Sequence, residues 1–155
     1  MKPKLFFVFI AVVTCLTARA QQPAELPNYI LASQISIIVT KIGLPVDSAG
    51  SYLTVLGQFK KTQETATDVF YGCKEYDTVF DFKKDDAGMI QLIICDIPKS
   101  MLSTAQKAIV MMGMVATGTA APPGFTAYAT PKYAAFLNPE QRKGYLGLVL
   151  VPGGH

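Results

Sequence analysis

PKSMLSTAQKAIVMMGMVATGTAA, residues 98–121, is the stretch from which we predict the fold. Apolar residues at helical spacing predict a helix over residues 98–116. One face of that helix begins with Lys99 and Lys107 and becomes apolar from Val110 onward, so the second half is apolar on every side. Because such a helix must be covered on every side, the stretch predicts a buried central helix around which the other elements pack.

Helical spacing of apolar residues recurs on both sides of this stretch. Two stripes precede it, formed by Leu31, Ile35, Ile38 and Ile42 and then by Tyr52, Leu56 and Phe59. The pattern continues through residues 68–84, and Asn138-Pro139 near the C-terminus is typical of a helix start. The sequence therefore predicts a mainly α protein, a small bundle of four to five helices around the central helix at 98–116.

Residues 78–96 also fit a second structure. The run from Met89 to Ile94 is strongly β-prone, and residues 84–88, KDDAG, are typical of a turn. Short apolar runs do not distinguish strands from buried helices by periodicity alone. The alternative prediction is therefore an α+β fold with a hairpin at 78–96.

The N-terminal residues have the three parts of a secretory signal peptide. Lys2 and Lys4 are followed by an apolar run over residues 5–16 and by Ala18-Arg19-Ala20, a small-x-small cleavage pattern. The apolar run is shorter than the roughly 20 residues of a transmembrane helix. We therefore expect residues 1–20 to be removed, leaving residues 21–155 as one secreted globular domain, extracellular or, in a bacterium, periplasmic.

The basic excess of the whole chain belongs to this N-terminal segment. Removing Lys2, Lys4 and Arg19 leaves 11 of the 14 basic residues, against 11 acidic residues. A formally neutral domain offers no net positive charge for nucleic acid or anionic membranes. We therefore predict that nucleic acid is not a partner and that the cleaved chain has no stable membrane span.

Two of the three cysteines, Cys73 and Cys95, remain after signal cleavage. An even number of cysteines in an oxidising compartment predicts a disulfide. A Cys73–Cys95 bridge would close a loop of about 23 residues and stabilise the fold by roughly 3 kcal/mol.

The titratable residues form no catalytic or metal-binding motif. The single histidine, His155, is the last residue of a glycine-rich tail, where no element holds its imidazole. Asp77, Asp81 and Asp85 would share one face of a helix, but neighbouring lysines make a solvated charged face the better interpretation. Methionines in the central helix are interpreted as core residues rather than copper ligands. We predict no catalytic, cofactor-binding or metal-binding residues, and a protein that is not an enzyme.

The remaining functional signal is the apolar surface of the central helix. We predict a secreted, non-enzymatic binding protein for an apolar small molecule or lipid, because apolar pockets between helices are common ligand sites. The candidate ligand or partner surface consists of Val110, Met111, Met114 and Val115. The alternative is a secreted protein-interaction module, of effector or inhibitor type, that uses this apolar surface for a protein partner.

Overall fold

An antiparallel β-sheet forms the framework of the protein. The structure, a computed structural model, describes residues 25–55, 58–118 and 121–154. The α-helices in these ranges are α1 (Glu25–Ile38), α2 (Val46–Val55) and α3 (Leu102–Met111), and two short 3-10 helices span Val39–Lys41 and Lys99–Met101. The strands are β1 (Lys60–Glu64), β2 (Asp68–Cys73), β3 (Thr78–Lys84), β4 (Ile90–Pro98), β5 (Val115–Ala116), β6 (Thr126–Ala129), β7 (Tyr133–Arg142) and β8 (Tyr145–Pro152). The predicted signal peptide, residues 1–20, and His155 lie outside the described residues.

The strands follow the order β1-β2-β3-β4-β8-β7-β6-β5 across one sheet. Every neighbouring pair is antiparallel, so β1 to β4 form one meander and β5 to β8 form a second. The two meanders join where β4 pairs with β8, and α3 lies in the connection between them. The prediction of a mainly α bundle is therefore wrong, because the strands and not the helices carry the architecture.

The central helix is shorter than predicted and is not central. α3 spans Leu102–Met111 instead of residues 98–116. On its N-terminal side Pro98 ends β4, and on its C-terminal side Gly113 has a φ of +69°, which glycine adopts without a steric penalty. Val110 is exposed, so the apolar second half is not covered on every side. None of the described helices is long and apolar enough to cross a lipid bilayer.

Residues 68–84, predicted as helical, form β2 and β3. Burial alternates along β2, where Val69, Tyr71 and Cys73 are buried, as expected for a strand with one covered face. β3 pairs with β4, for example through Phe80 opposite Cys95, so the hairpin considered as the alternative is present. Aromatic and β-branched side chains favour this outcome because they pack against their partners on neighbouring strands.

The predicted Cys73–Cys95 disulfide is wrong, because both cysteines are free. Both are buried on the same face of the sheet, but Cys73 lies on β2 and Cys95 on β4, with β3 between them. Two strand spacings amount to about 9.6 Å, whereas the Cα atoms of a disulfide lie about 4.4–6.8 Å apart. The strand order therefore keeps the two thiols from meeting.

The predicted helix start at Asn138-Pro139 is also wrong, because both residues lie inside β7. The register between β7 and β8 shifts between Asn138 and Arg142. Such a bulge accommodates Pro139, which has no N–H to donate to the ladder. Asn138-Pro139, a pair typical of a helix start, therefore lies where the pairing of β7 with β8 is interrupted.

The two faces of the sheet differ in what covers them. On the helix face, the helices pack against strand residues such as Phe80, Ile93 and Leu148, which are fully buried. Phe59 and Phe80 lie in this core with ring centroids 4.7 Å apart. On the opposite face, which we call the open face, the outward residues of β4 and β8 stay partly exposed apart from the buried Gly147, and none belongs to the hydrophobic core cluster. The described helices thus cover the sheet on one side.

Candidate functional site

The four residues predicted as an apolar surface do not form a single site. Val110 and Met111 lie in the last turn of α3, with 74% and 42% of their surface exposed. Met114 is 5% exposed and belongs to the core. Val115, in β5, is 68% exposed and pairs with Ala129 of β6. The structure therefore offers two separate surfaces, one beside α3 and one on the sheet.

The first surface is a groove beside α3, which we call the α1–α3 groove. It has a volume of about 490 Å³, and its lining consists of Tyr29, Ser103, Gln106, Lys107, Val110 and Met111. Tyr29 comes from α1, whereas the other five belong to α3. The aromatic ring, the valine and the methionine supply an apolar floor, with Gln106 and Lys107 one helical turn before Val110 and Met111 and Ser103 one turn earlier still.

Lys107 is the charged residue of this groove. Among the described side chains, which begin at Asn28, no carboxylate forms an ion pair with its ammonium group. Ser103 and Gln106 place a hydroxyl and an amide beside it. The α1–α3 groove therefore combines an apolar floor with a cationic and hydrogen-bonding rim.

The second surface is the open face, where apolar side chains occupy outward positions. Residues paired across neighbouring strands share a face. Two rows of paired residues, which we call the apolar rows, cross this face: Ile94, Val149, Phe136 and Ala127 in one, and Val151, Ala134, Ala129 and Val115 in the other. A sheet with one solvated face normally alternates apolar and polar residues. The open face is therefore more apolar than a solvent-exposed sheet face usually is.

A charged border lies beside the apolar rows, on β2, β3 and β4. Lys83 donates to Asp68 and also to Asp81, where the Nζ–Oδ2 distance is 3.1 Å. At the same border, Arg142 Nη2 lies 3.1 Å from Asp96 Oδ2. Burial raises the pKa of the Asp81 carboxyl, because its ionised form loses hydration. Most charges of the border are thus paired within the chain.

The three aspartates that a helix would have stacked are separated in the structure. Asp77 lies in the turn between β2 and β3, Asp81 within β3, and Asp85 in the turn that follows. Asp85 accepts hydrogen bonds from the backbone N–H groups of Ala87 and Met89, at 3.0 and 2.9 Å, and so stabilises the turn. Within the described ranges, no three His, Cys, Asp or Glu side chains are placed to hold a metal ion.

The two free thiols lie inside the core. Burial raises the pKa of the Cys95 thiol, because the thiolate would lose its hydration. The thiolate is the nucleophilic form of cysteine, so a buried neutral thiol reacts poorly. We therefore interpret Cys73 and Cys95 as packing residues of the helix face.

Local sequence patterns did not reveal the open face or the contribution of Tyr29 to the groove. A signal for the open face was present in residues 92–95, LIIC, and 146–151, LGLVLV, which are nearly continuous apolar runs. Such runs are typical of strands buried on both faces, whereas a strand with one solvated face alternates. Tyr29 had no comparable signal, because its role depends on the packing of α1 against α3. No protein family, curated protein or solved structure matches this chain.

Proposed function

We propose that this protein is a non-enzymatic binding protein for an apolar small molecule or lipid, and that the ligand binds in the α1–α3 groove. The observation that supports this proposal is the exposure of Val110 and Met111 beside Tyr29, around a space of about 490 Å³. Sites for small ligands commonly have volumes of about 300–1,000 Å³. The groove has room for an acyl chain or a small ring system.

Burial of the exposed apolar residues by such a ligand contributes favourable free energy of binding. Full burial of a valine or methionine side chain is worth about 1.5–3 kcal/mol, and Val110 still exposes 74% of its surface. Methionine adapts its flexible thioether chain to irregular ligands, so Met111 suits a surface that accepts more than one shape. Covering these side chains provides the main free energy of binding.

The rim favours an amphiphile with an acidic head. No carboxylate among the side chains described from residue 28 onward pairs with Lys107, so a ligand carboxylate or phosphate gains a charge-assisted hydrogen bond there. Ser103 and Gln106 add further donors. A fatty acid has both parts that the groove accommodates, an apolar chain and one anionic end.

The test is titration of the purified protein with a fluorescent fatty acid, with native mass spectrometry to count bound molecules. Val110→Asp should weaken binding about tenfold or more, because it puts a charge on the apolar floor. Val55→Asp is the matched control, since Val55 is 85% exposed on α2 and does not line the groove. Lys107→Met should weaken binding of the acid more than binding of the corresponding alcohol. A wild-type protein that binds neither lipid at micromolar concentration would refute the proposal.

Export is part of the same proposal. We expect secretion directed by residues 1–20, on the basis of Lys2, Lys4 and the apolar run that follows. A binding protein for lipids then acts outside the cytoplasm.

A further inference from the structure

We propose that the open face of the sheet is a self-association surface, on which a second copy of this chain packs its own open face. This inference is independent of ligand binding in the α1–α3 groove, because the groove lies on the helix side of the molecule. The middle of the sheet is formed by β4 and β8.

The central strands have the composition of strands buried on both sides. On β4, Ile93, Cys95 and Ile97 point into the core, while Ile94 between them points to the open face. On β8, Val149 occupies an outward position, opposite Ile94. Strands read as continuous apolar runs where both faces are covered, and here the described chain covers one face. The composition therefore requires a cover that the chain itself does not supply within its described residues.

The charge on the open face favours a neutral partner. The apolar rows contain no charged residue, and the charged border is already paired through Lys83 and Arg142. A basic or acidic partner would find little unpaired opposite charge there. A second copy has the same balance, so association of two open faces creates no strong repulsion. An apolar centre with a polar rim is also the usual anatomy of a protein interface.

The relief of the apolar rows is self-complementary. Ile94 on β4 and Val149 and Val151 on β8 are bulky, whereas Ala127 and Ala129 on β6 are small, and Phe136 on β7 lies between them. A two-fold axis between β7 and β8 places Ile94 of one copy over the alanines of β6 of the other, and β8 of one copy over β7 of the other. Large and small residues facing each other in this way fill a core without voids. Two sheets with the same twist also pack well in an aligned arrangement.

The size of the overlapping faces suits a weak dimer. With the two-fold axis between β7 and β8, the six strands from β3 to β5 overlap; at about 4.8 Å spacing they span roughly 24 Å, and five residues along a strand span about 17 Å. The resulting footprint of roughly 410 Å² is about half of the roughly 800 Å² per partner in a stable interface. The open face therefore predicts a weak, concentration-dependent dimer.

The experiment is sedimentation equilibrium of the purified protein over a wide concentration range. The wild-type protein should be mostly monomeric at about 1 μM and increasingly dimeric as its concentration rises towards about 100 μM. Val149→Lys and, separately, Ala134→Arg should weaken the dimer about 100-fold or more, because each places an unpaired charge at the centre of the interface. Val55→Lys, on the exposed end of α2, should leave the dissociation constant within about twofold of the wild-type value.

Circular dichroism establishes that each variant keeps the strand content of the wild type. If one of Val149→Lys and Ala134→Arg fails to fold, the other still tests the interface. A wild-type protein that stays monomeric at about 100 μM, where contacts worth about 5.5 kcal/mol or more would be detected, overturns the proposal. A dimer that both Val149→Lys and Ala134→Arg leave intact also overturns it, because the contact then lies elsewhere. Binding of the open face to lipid vesicles by a monomeric protein is a third outcome against it.

Discussion

Replacing Gly50 with alanine should destabilise the protein, although the same change in an exposed helix normally stabilises it. Gly50 is buried in α2, and a Cβ at this position would lie 2.1 Å from Oη of Tyr71 and 3.0 Å from its Cζ. Tyr71 is 6% exposed, and its ring meets Phe82 edge-on with centroids 5.7 Å apart. To accept the Cβ, Tyr71 must move its hydroxyl end, and this movement disturbs the edge-on contact of its ring with Phe82.

Two opposing contributions determine the size of the effect. Alanine is favoured over glycine in a helix by about 1 kcal/mol. Overpacking a buried position costs about 1–3 kcal/mol, and a 2.1 Å approach places Gly50→Ala at the upper end of that range. We expect a net loss of about 1–2 kcal/mol in the free energy of unfolding, which corresponds to a decrease in Tm of about 3–8 °C.

Urea denaturation followed by far-UV circular dichroism measures this loss. Ser51→Ala is the matched control, because Ser51 is exposed next to Gly50 in the same helix and should change stability by less than about 0.5 kcal/mol. In a Tyr71→Phe background the shortest contact is absent, so Gly50→Ala should cost less than it does in the wild type. A Gly50→Ala protein as stable as the wild type would refute the proposed contact between α2 and β2.

Three further predictions follow from the core, from the β1 edge and from the N-terminal residues. Iodoacetamide should label Cys73 and Cys95 in the unfolded protein without prior reduction and should label neither in the native protein; a requirement for reductant would contradict the free buried thiols. Lys61 and Lys84 hold the pKa of Glu64 at about 2, so ionised Glu64 stabilises the fold above pH about 4.5 and this contribution is lost as the pH falls towards 2. Glu64→Gln should therefore flatten the dependence of the urea midpoint on pH in that window, and an unchanged slope would count against these ion pairs. Mass spectrometry of the exported protein should find Gln21 at the N-terminus, in open or cyclised form, and a chain that retains residues 1–20 would show that the signal-peptide prediction is wrong.

Local sequence patterns predicted the first helix and failed where two periods fit the same residues. Leu31, Ile35 and Ile38 lie on one side of a helix and are all buried, so the stripe correctly indicates α1. Residues 68–84 fit both a helix and an alternating strand, and the choice depends on pairing with β4, whose other edge pairs with β8, distant in sequence. Local periodicity therefore ranks the hairpin at 78–96 below a helix, because it does not include the stability that the neighbouring strands contribute.

The candidate site shows the same limit. Val110 was found from the loss of polar residues along the helix, since that signal is local. Val115 and Met114 follow it within five residues, yet one lies on the sheet and the other in the core, because Gly113 turns the chain out of the helix. The open face required the pairing of β4 with β8, which residues close in sequence do not reveal.

The position of β8 has a consequence for the synthesis of this chain. Ile97 pairs with Leu146 on β8, so the seam between the two meanders closes only after β8 and all the other strands of the sheet have left the ribosome. Until then β4 and β7 are both unpaired edges, which is the condition that invites aggregation. A chain truncated before Tyr145 lacks β8 and therefore loses the middle of its sheet, and a bulky tag that disturbs β8 has the same effect. Loss of β1 removes only an edge strand. The C-terminal end is therefore the more hazardous place to shorten or modify this protein.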